Sequence, residues 1–445
     1  MEKLIKAVEK NRKLILDSER FIWAHPETGY KEFETSKYME ETFESLGYEL
    51  TRAGNIPGFY TVLDTGKPGP EILVMGELDS VICPEHPECN PETGAVHSCG
   101  HNAQCAALVG IAAALKEPGV IDNMCGRIKL CAVPAEELLE LEFRDNLKKQ
   151  GVIKYFGGKP EFMHRGYFES TDIAFMVHTG SGVSNAHTGS IGCIGKKIIY
   201  TGVSAHAGGA PWNGRNALYA ANCGLNAINA VRETFKESDI IRVHPIITNG
   251  GAMVNAIPGK VQLESYIRGN TFEGIRSANY KVNRALCGAA LSLGTNVEII
   301  DIPGYAPLIN DPGMIDLTLD AAKLSIPHEP FERHNKIGSG CTDMGDITCV
   351  MPAIHPHIGG ATGNSHGSAY QIADPERACV NSAKLQVAML ELLLKDNAKR
   401  AYEIIKNFTP RFASQREYLD YIDSFNCEGS RITYDGDESA TVKLD

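Results

Sequence analysis

At 445 residues the chain is longer than one typical hydrophobic core, so two domains are expected. Hydrophobic residues make up 43% and charged residues 22%, ordinary globular proportions, and the net charge of −12 leaves no basic stripe for a nucleic acid. No run is apolar enough to span a bilayer, and MEKLIKAVEKNRKLILDSERF is a helix pattern broken by charges rather than a secretory signal. Thirteen Cys in such a chain read as thiols or ligands, so a cytoplasmic location is expected.

Two amphipathic helices open the chain, with AHPETGYKEFETS between them. Short apolar runs then read as buried strands: FYTVLDTG, EILVMGELD, RIKLCAVPAEE and DIAFMVHTG. Between the second and third lies NAQCAALVGIAAALKE, an Ala-rich helix pattern, so this part is expected to be α/β with a mostly parallel sheet and helices on both faces. From about Ile191 the order becomes β-α-β-β-α-β, that of a ferredoxin-like α+β sandwich. After Pro307 come a helix, CVMPAIHPHIG as a strand, and a last helix from Pro375 to Leu394. The expected organisation is one α/β domain over 1–188 and 308–400, an insertion over 189–307, and a polar tail over 401–445 with no readable role.

Three of the apolar runs end in potential metal ligands: Asp79 after ILVMGEL, Glu136 and Glu137 after IKLCAVPA, and His178 after DIAFMV. Ligands bind at the carboxyl ends of strands in open α/β sheets, so these groups can meet although far apart in the chain. HSCGH, with Cys99 and His101, sits just ahead of the Ala-rich helix. Thiolate, imidazole and carboxylate donors with a position left for water are what a hydrolytic metal site needs. Each residue also has an ordinary structural reading: a turn Asp at Asp79, a solvated helix start at Glu136 and Glu137, a half-buried His at His178. Their coincidence at strand ends favours the site. A competing arrangement is local: Cys83, His86, Cys89, His97, Cys99 and His101 could close a structural zinc knuckle, although the spacing is not a paired CxxC.

HPETGYKEFETS, HSCGHN, PAEE, GGKPEFMHRGYFESTDIAFMVHTG, GVSAHAGGAPWNGRNAL, GGAMVNAIPG, GSGCTDMGDI and NSHGSAY, in this order, resemble the aminoacylase/carboxypeptidase family of metallopeptidases. The likeness is to its amidohydrolase branch, which holds p-aminobenzoyl-glutamate, hippurate and auxin-conjugate hydrolases and related dipeptidases, and it covers about residues 10–394. The resemblance implies a catalytic domain interrupted by a lid and dimerisation domain, hence a homodimer. It implies two divalent ions, zinc or manganese, on Cys99, His101, Glu137, His178 and His366, with Asp79 orienting a ligand from behind. Glu136 would be the general base on an activated water, and His206 would stabilise the oxyanion in the partner subunit's site. Asn255 would assist on substrate. Taken singly, His206, Asn255 and His366 are loop residues of no special role.

The implied reaction is hydrolysis of an amide bond in an N-acyl amino acid or dipeptide-like small molecule. Arg268, at the end of a strand of the insertion, is the candidate clamp for a substrate carboxylate, and Arg215 is read as a cap for the following helix. Asn102 stands where much of the branch has Asp, and the Cys83–Val96 segment is longer than expected. In GSGCTDMGD, a helix N-cap at Thr342 or Asp343 is the expected role, with Cys341 beside it. Two non-enzymatic alternatives stand beside this reading: a binding protein on the same scaffold, and a structural zinc protein using the Cys83–His101 cluster.

Overall fold

The computed structural model describes residues 1–436 and 439–444. The chain divides into two compact units. The first comprises Met1–Gly189, Leu308–Gly338 and Thr342–Tyr418; the second comprises Ser190–Pro307, Ser339–Cys341 and the chain from Leu419 onward. The polar tail, read as one segment in the sequence, is thus shared between them.

The first unit is built on a six-stranded sheet in the order Thr51–Arg52, Phe59–Asp64, Arg127–Val133, Glu71–Glu77, Ile173–Phe175, Ala353–Ile354. The last four strands are mutually parallel and the first two antiparallel. Every residue of Glu71–Glu77 is buried, as the unbroken apolar run requires of a strand covered on both faces. Ile72, Val74, Leu130 and Ala132 share one core with the helix His101–Leu115, while on the other face Lys129 reaches the Tyr167 carbonyl and helix Gly158–His164 packs on its strand. Helix His101–Leu115 is buried along its whole length beneath helices Glu2–Lys10, Arg12–Ala24 and Ser382–Asn407, which is why its sequence is apolar all round.

Two details differ from the sequence reading. The opening holds three helices, because Asn11 folds its side-chain amide back onto the Ala7 carbonyl (2.9 Å) and ends the first one. The run CVMPAIHPHIG is two short strands, Ala353–Ile354 and His357–Ile358, separated at Pro356, which has no N–H to donate to a ladder. The second of these pairs with His178–Thr179 and Ser184–Ser190 in another sheet.

The second unit is an antiparallel sheet whose four strands, Gly192–Thr201, Arg242–Val243 with Ile246–Asn249, Lys260–Gly269 and Asn296–Tyr305, lie in the spatial order fourth, first, third, second. Helices Ala217–Val231 and Phe272–Ser292 pack against it and each other, which completes the ferredoxin-like sandwich. Asn216, not Arg215, caps the first of these helices: its side-chain oxygen accepts from the Leu218 and Tyr219 amides. The guanidinium has no acceptor to offer a helix N-terminus, whereas the Asn amide does. Phe425 and Ile432 from the tail join this core, and backbone bridges tie Ser430 to Glu298 and Cys427 to Asp301.

Candidate metal centre

Three neighbouring parallel strands deliver the acidic and imidazole groups. Asp79 follows Glu71–Glu77, Glu136 and Glu137 follow Arg127–Val133, and His178 follows Ile173–Phe175. The turn Pro134-Ala135-Glu136 is held under tension. Ala135 has φ 56°, its N–H donates to Glu32 Oε1 at 2.7 Å, and its carbonyl accepts from Gly158 at 3.1 Å. A Cβ on Gly158 would sit 1.7 Å from the Pro134 carbonyl oxygen. Gly158→Ala is therefore expected to destabilise the protein by about 1–3 kcal/mol and shift this turn, read by urea unfolding alongside activity.

Cys99 and His101 flank Gly100, which takes φ 91° at the start of the buried helix. His366 is itself left-handed (φ 62°), anchored by its N–H to the Ser98 carbonyl at 2.8 Å, which fastens the NSHGS loop to HSCGH. Ligand atoms converge within 4.8 Å in three sets: Cys99, His101 and His178; Cys99, Glu137 and His366; Glu77, His101 and Glu136. Cys99 belongs to two of them. Its Sγ lies 3.5 Å from His178 Nε2, and His366 Nε2 lies 2.9 Å from Glu137 Oε1.

The rings are oriented from behind. His178 Nδ1 sits 2.8 Å from the Thr179 carbonyl, and His101 Nδ1 lies 2.9 Å from the Asp79 carbonyl and 3.1 Å from Asp79 Oδ1. Donation from Nδ1 leaves Nε2 as the inward-facing atom of both rings, and His101 Nε2 is buried with no hydrogen-bond partner. The other Asp79 oxygen accepts from the Glu137 amide at 2.8 Å. A thiolate placed between two sets of nitrogen and carboxylate donors, around a buried nitrogen with no partner, fits a pair of divalent cations.

Charge is distributed unevenly over these groups. Burial and the Glu137 carboxylate push the Cys99 thiol up, but His101 and His178 bring it down to about 6. Burial also raises Glu137, yet the hydrogen bond and charge of His366 draw it down to about 2, while His366 rises to about 11 on contacts with Cys99 and Glu137. Glu136 goes the other way: burial, then the charges of Glu77, Glu137 and Asp343, hold it well above the usual carboxylate range.

The other expected residues lie elsewhere. His206, Asn255 and Arg268 belong to the second unit. There His206 Nδ1 accepts from the Gly208 and Gly209 amides (3.1 and 2.9 Å), and the Ala207 amide donates to the Asn255 carbonyl at 2.9 Å. Arg268 lies across from Cys193 and stacks near Tyr266. Asn102 donates to the buried Glu19 carboxylate at 2.7 Å. Asp343 is not a capping side chain: its carboxylate pairs with the buried Lys159, while Thr342 Oγ1 accepts from the Met344 amide. Of the proposed zinc knuckle, Cys83, His86, Cys89 and His97 enter none of the converging sets among the described residues. His86 Nε2 is instead taken up by the Tyr370 carbonyl at 2.8 Å.

Several residues at this place escape a sequence reading. Glu77 shares a strand face with Asp79, so the two-residue period of the strand would have found it. Lys159, in GGKP, joins Glu77 and Asp343, and only the fold brings those partners together. His355 and His357, beyond the last parallel strand, have rings 5.5 and 5.3 Å from that of His178.

Residues 73–392 match the model of peptidase family M20/M25/M40. This chain belongs to that family. The M20-family chain is thus a hydrolase of the metallopeptidase and amidohydrolase kind. It is 26% identical over 355 residues to the Xaa-Arg dipeptidase of Mus musculus, covering 76% of this chain and 75% of that protein. It is 28% identical over 302 residues to a p-aminobenzoyl-glutamate hydrolase chain of Escherichia coli (strain K12), covering 66% and 58%. Its fold is shared with a Bacillus subtilis dinuclear metal binding peptidase of the M20 family, at TM-score 0.62 and 18% identity over 87% of this chain and 99% of that one. An aminobenzoyl-glutamate utilization protein from Klebsiella pneumoniae superposes at TM-score 0.65 with 19% identity, covering 87% and 98%.

Proposed function

We propose that this M20-family hydrolase cleaves the amide bond of N-acyl amino acids or dipeptide-like molecules, at a centre holding two divalent ions of zinc or manganese. The observation that carries the reading is the sharing of Cys99 by two donor sets beside an uphill-shifted carboxylate, Glu136. Cys99, His101 and His178 would hold one ion, and Cys99, Glu137 and His366 the other. When bound, the ions supply Lewis acidity toward water and the scissile carbonyl. Glu136 takes a proton from the attacking water and returns it to the departing amine. Asp79 keeps His101 and the Glu137 backbone in place through contacts of 3.1 and 2.8 Å.

Within the inserted unit, His206 is assigned to the oxyanion in a partner subunit's site, with Asn255 on substrate and Arg268 on a substrate carboxylate. The exposed edge strand Ile246–Asn249, together with exposed Met253 and Val254, supports this unit as the homodimer contact. The relatives' substrates, an Xaa-Arg dipeptide and p-aminobenzoyl-glutamate, share an amide bond to an amino acid and support that substrate class. Among the described residues no helix is long and apolar enough to cross a membrane.

Metal content per chain of the wild type, His366→Ala and Cys83→Ser is the test, followed by a panel of acyl amino acids and dipeptides read by released amine. Loss of metal in His366→Ala with retention in Cys83→Ser is expected. The reverse pattern would return the metal to a local knuckle and remove the proposed chemistry.

A further inference from the structure

Cys193 lies at the start of the inserted unit's strand Gly192–Thr201, where the ladder to Asn296–Tyr305 slips register between Cys193 and Ile194. A bulge of this kind re-aims the side chain beside it. Here the sulfur is turned toward Gly304: a Cβ on that residue would stand 3.0 Å from Cys193 Sγ and 2.4 Å from the Cys193 carbonyl oxygen, so glycine keeps the space open. In this position Cys193 accepts hydrogen bonds from the Cys341 thiol and the Tyr305 backbone N–H. Arg268 is its directly paired residue on the neighbouring strand, so thiol and guanidinium share a face of the sheet. The Cys341 hydrogen bond, helped by Arg268 and the Tyr305 amide, outweighs burial and holds the Cys193 thiol below its ordinary value.

The two sulfurs differ in access. Cys193 is 4% exposed, whereas Cys341 is half-buried and follows the exposed pair Ser339 and Gly340. Ser339–Cys341 pack with the inserted unit, although Gly338 before them and Thr342 after them belong to the first. Neither cysteine enters a converging donor set among the described residues. A stabilised thiolate directly behind a reachable thiol is the arrangement that closes into a disulfide on oxidation.

We propose that Cys193 and Cys341 form a reversible thiol–disulfide couple, closed by a hydroperoxide and opened by a small thiol, that fastens the 339–341 turn to the sheet of the inserted unit. Hydrogen peroxide oxidises the reachable Cys341 to a sulfenic acid and releases one water. The Cys193 thiolate then attacks the Cys341 sulfur, the S–S bond forms, and the expelled hydroxide takes up the proton that Cys193 had lost. Two electrons pass from the sulfurs to the O–O bond, and two waters result. Two molecules of a small thiol reverse the step and leave as their own disulfide.

Cys99 is a second thiol brought low, to about 6, so peptide mapping rather than activity is the readout. Full-length wild type is treated with hydrogen peroxide, alkylated without reduction, digested and mapped by mass spectrometry. A Cys193–Cys341 cross-linked peptide pair that disappears with dithiothreitol is expected. Both residues alkylated as separate thiols, or either one bridged to another cysteine, overturns the couple. Cys193→Ser should leave Cys341 as a sulfenic acid trapped by dimedone, and a Cys341 that stays unmodified there overturns the assigned order of attack. The fastening is read by amide hydrogen exchange of the peptide spanning 339–341. Exchange should slow in oxidised wild type but not in oxidised Cys341→Ser, and equal exchange in oxidised and reduced wild type overturns it. Thermal unfolding checks that Cys193→Ser folds; if it does not, the wild-type cross-link and exchange decide alone.

Discussion

Glu136→Gln should lower kcat by about 10²–10⁴-fold while metal content per chain and KM stay at wild-type values. The reason is the divergence of two adjacent carboxylates. Glu137 converges with Cys99 and His366 as a donor, whereas Glu136 stands apart from that set and is pushed up by burial and by Glu77, Glu137 and Asp343. Environments that drive neighbouring carboxyls apart assign one to charge and the other to proton transfer. Gln keeps the shape of the side chain at the strained turn beside Ala135 but cannot accept the proton. Steady-state kinetics with metal analysis on the same sample checks this. A variant keeping more than about a tenth of the activity, or losing its metal, would show that Glu136 is a ligand or a bystander.

What could be read from the sequence followed the range of the forces involved. The apolar runs EILVMGE and RIKLCAV announced buried strands because a strand covered on both faces has no polar side to show. Once those strands are parallel neighbours, Asp79, Glu136, Glu137 and His178 must stand at one edge, so the gathering of these four groups was legible from strand ends. The inserted sandwich was legible from its element order, since four strands and two helices in that order have few ways to pack. Of the two cap candidates, Thr342 accepts from the Met344 amide, and Asp343 does not cap because a local rule competes with a distant partner: Lys159, 184 residues away in the chain, takes its carboxylate. Local capping is worth about 1 kcal/mol, less than taking one of its two carboxylate partners from a buried ammonium would cost, so the distant pairing wins. Arg215 and Asn216 show the same lesson at one residue's distance, where donor and acceptor chemistry decides the cap.

The ring cluster beside the proposed centre sets a second large effect, on stability against pH. His187 is 7% exposed, and burial, then the nearby charges of His334 and His178, hold its folded-state value down to about 4. The ring of His357 lies 5.0 Å away and is itself held well below its ordinary value by burial and by His178 and His187. No carboxylate is among the causes that act on His187, and its Nδ1 has no hydrogen-bond partner. In the unfolded chain the same imidazole titrates near 6.5. As pH falls from about 6.5 to 4, the unfolded state takes up the proton first, so the contribution of His187 to stability is complete above that range and is lost within it. Below it both states are protonated and nothing more is lost. The shift is worth roughly 3 kcal/mol at 1.36 kcal/mol per unit, before discounting for the ring's residual exposure. Other groups titrate in the same window, including Asp343, raised to about 6 by burial, so the total curve is not the readout. The readout is the difference between His187→Gln and wild type, by urea unfolding of chelator-treated protein. Whatever the variant costs at pH 7, the gap should move by about 2–3 kcal/mol in the variant's favour by pH 4. A gap that stays constant across that range would mean that His187 titrates alike in both states, and that the cluster holds no proton-linked free energy.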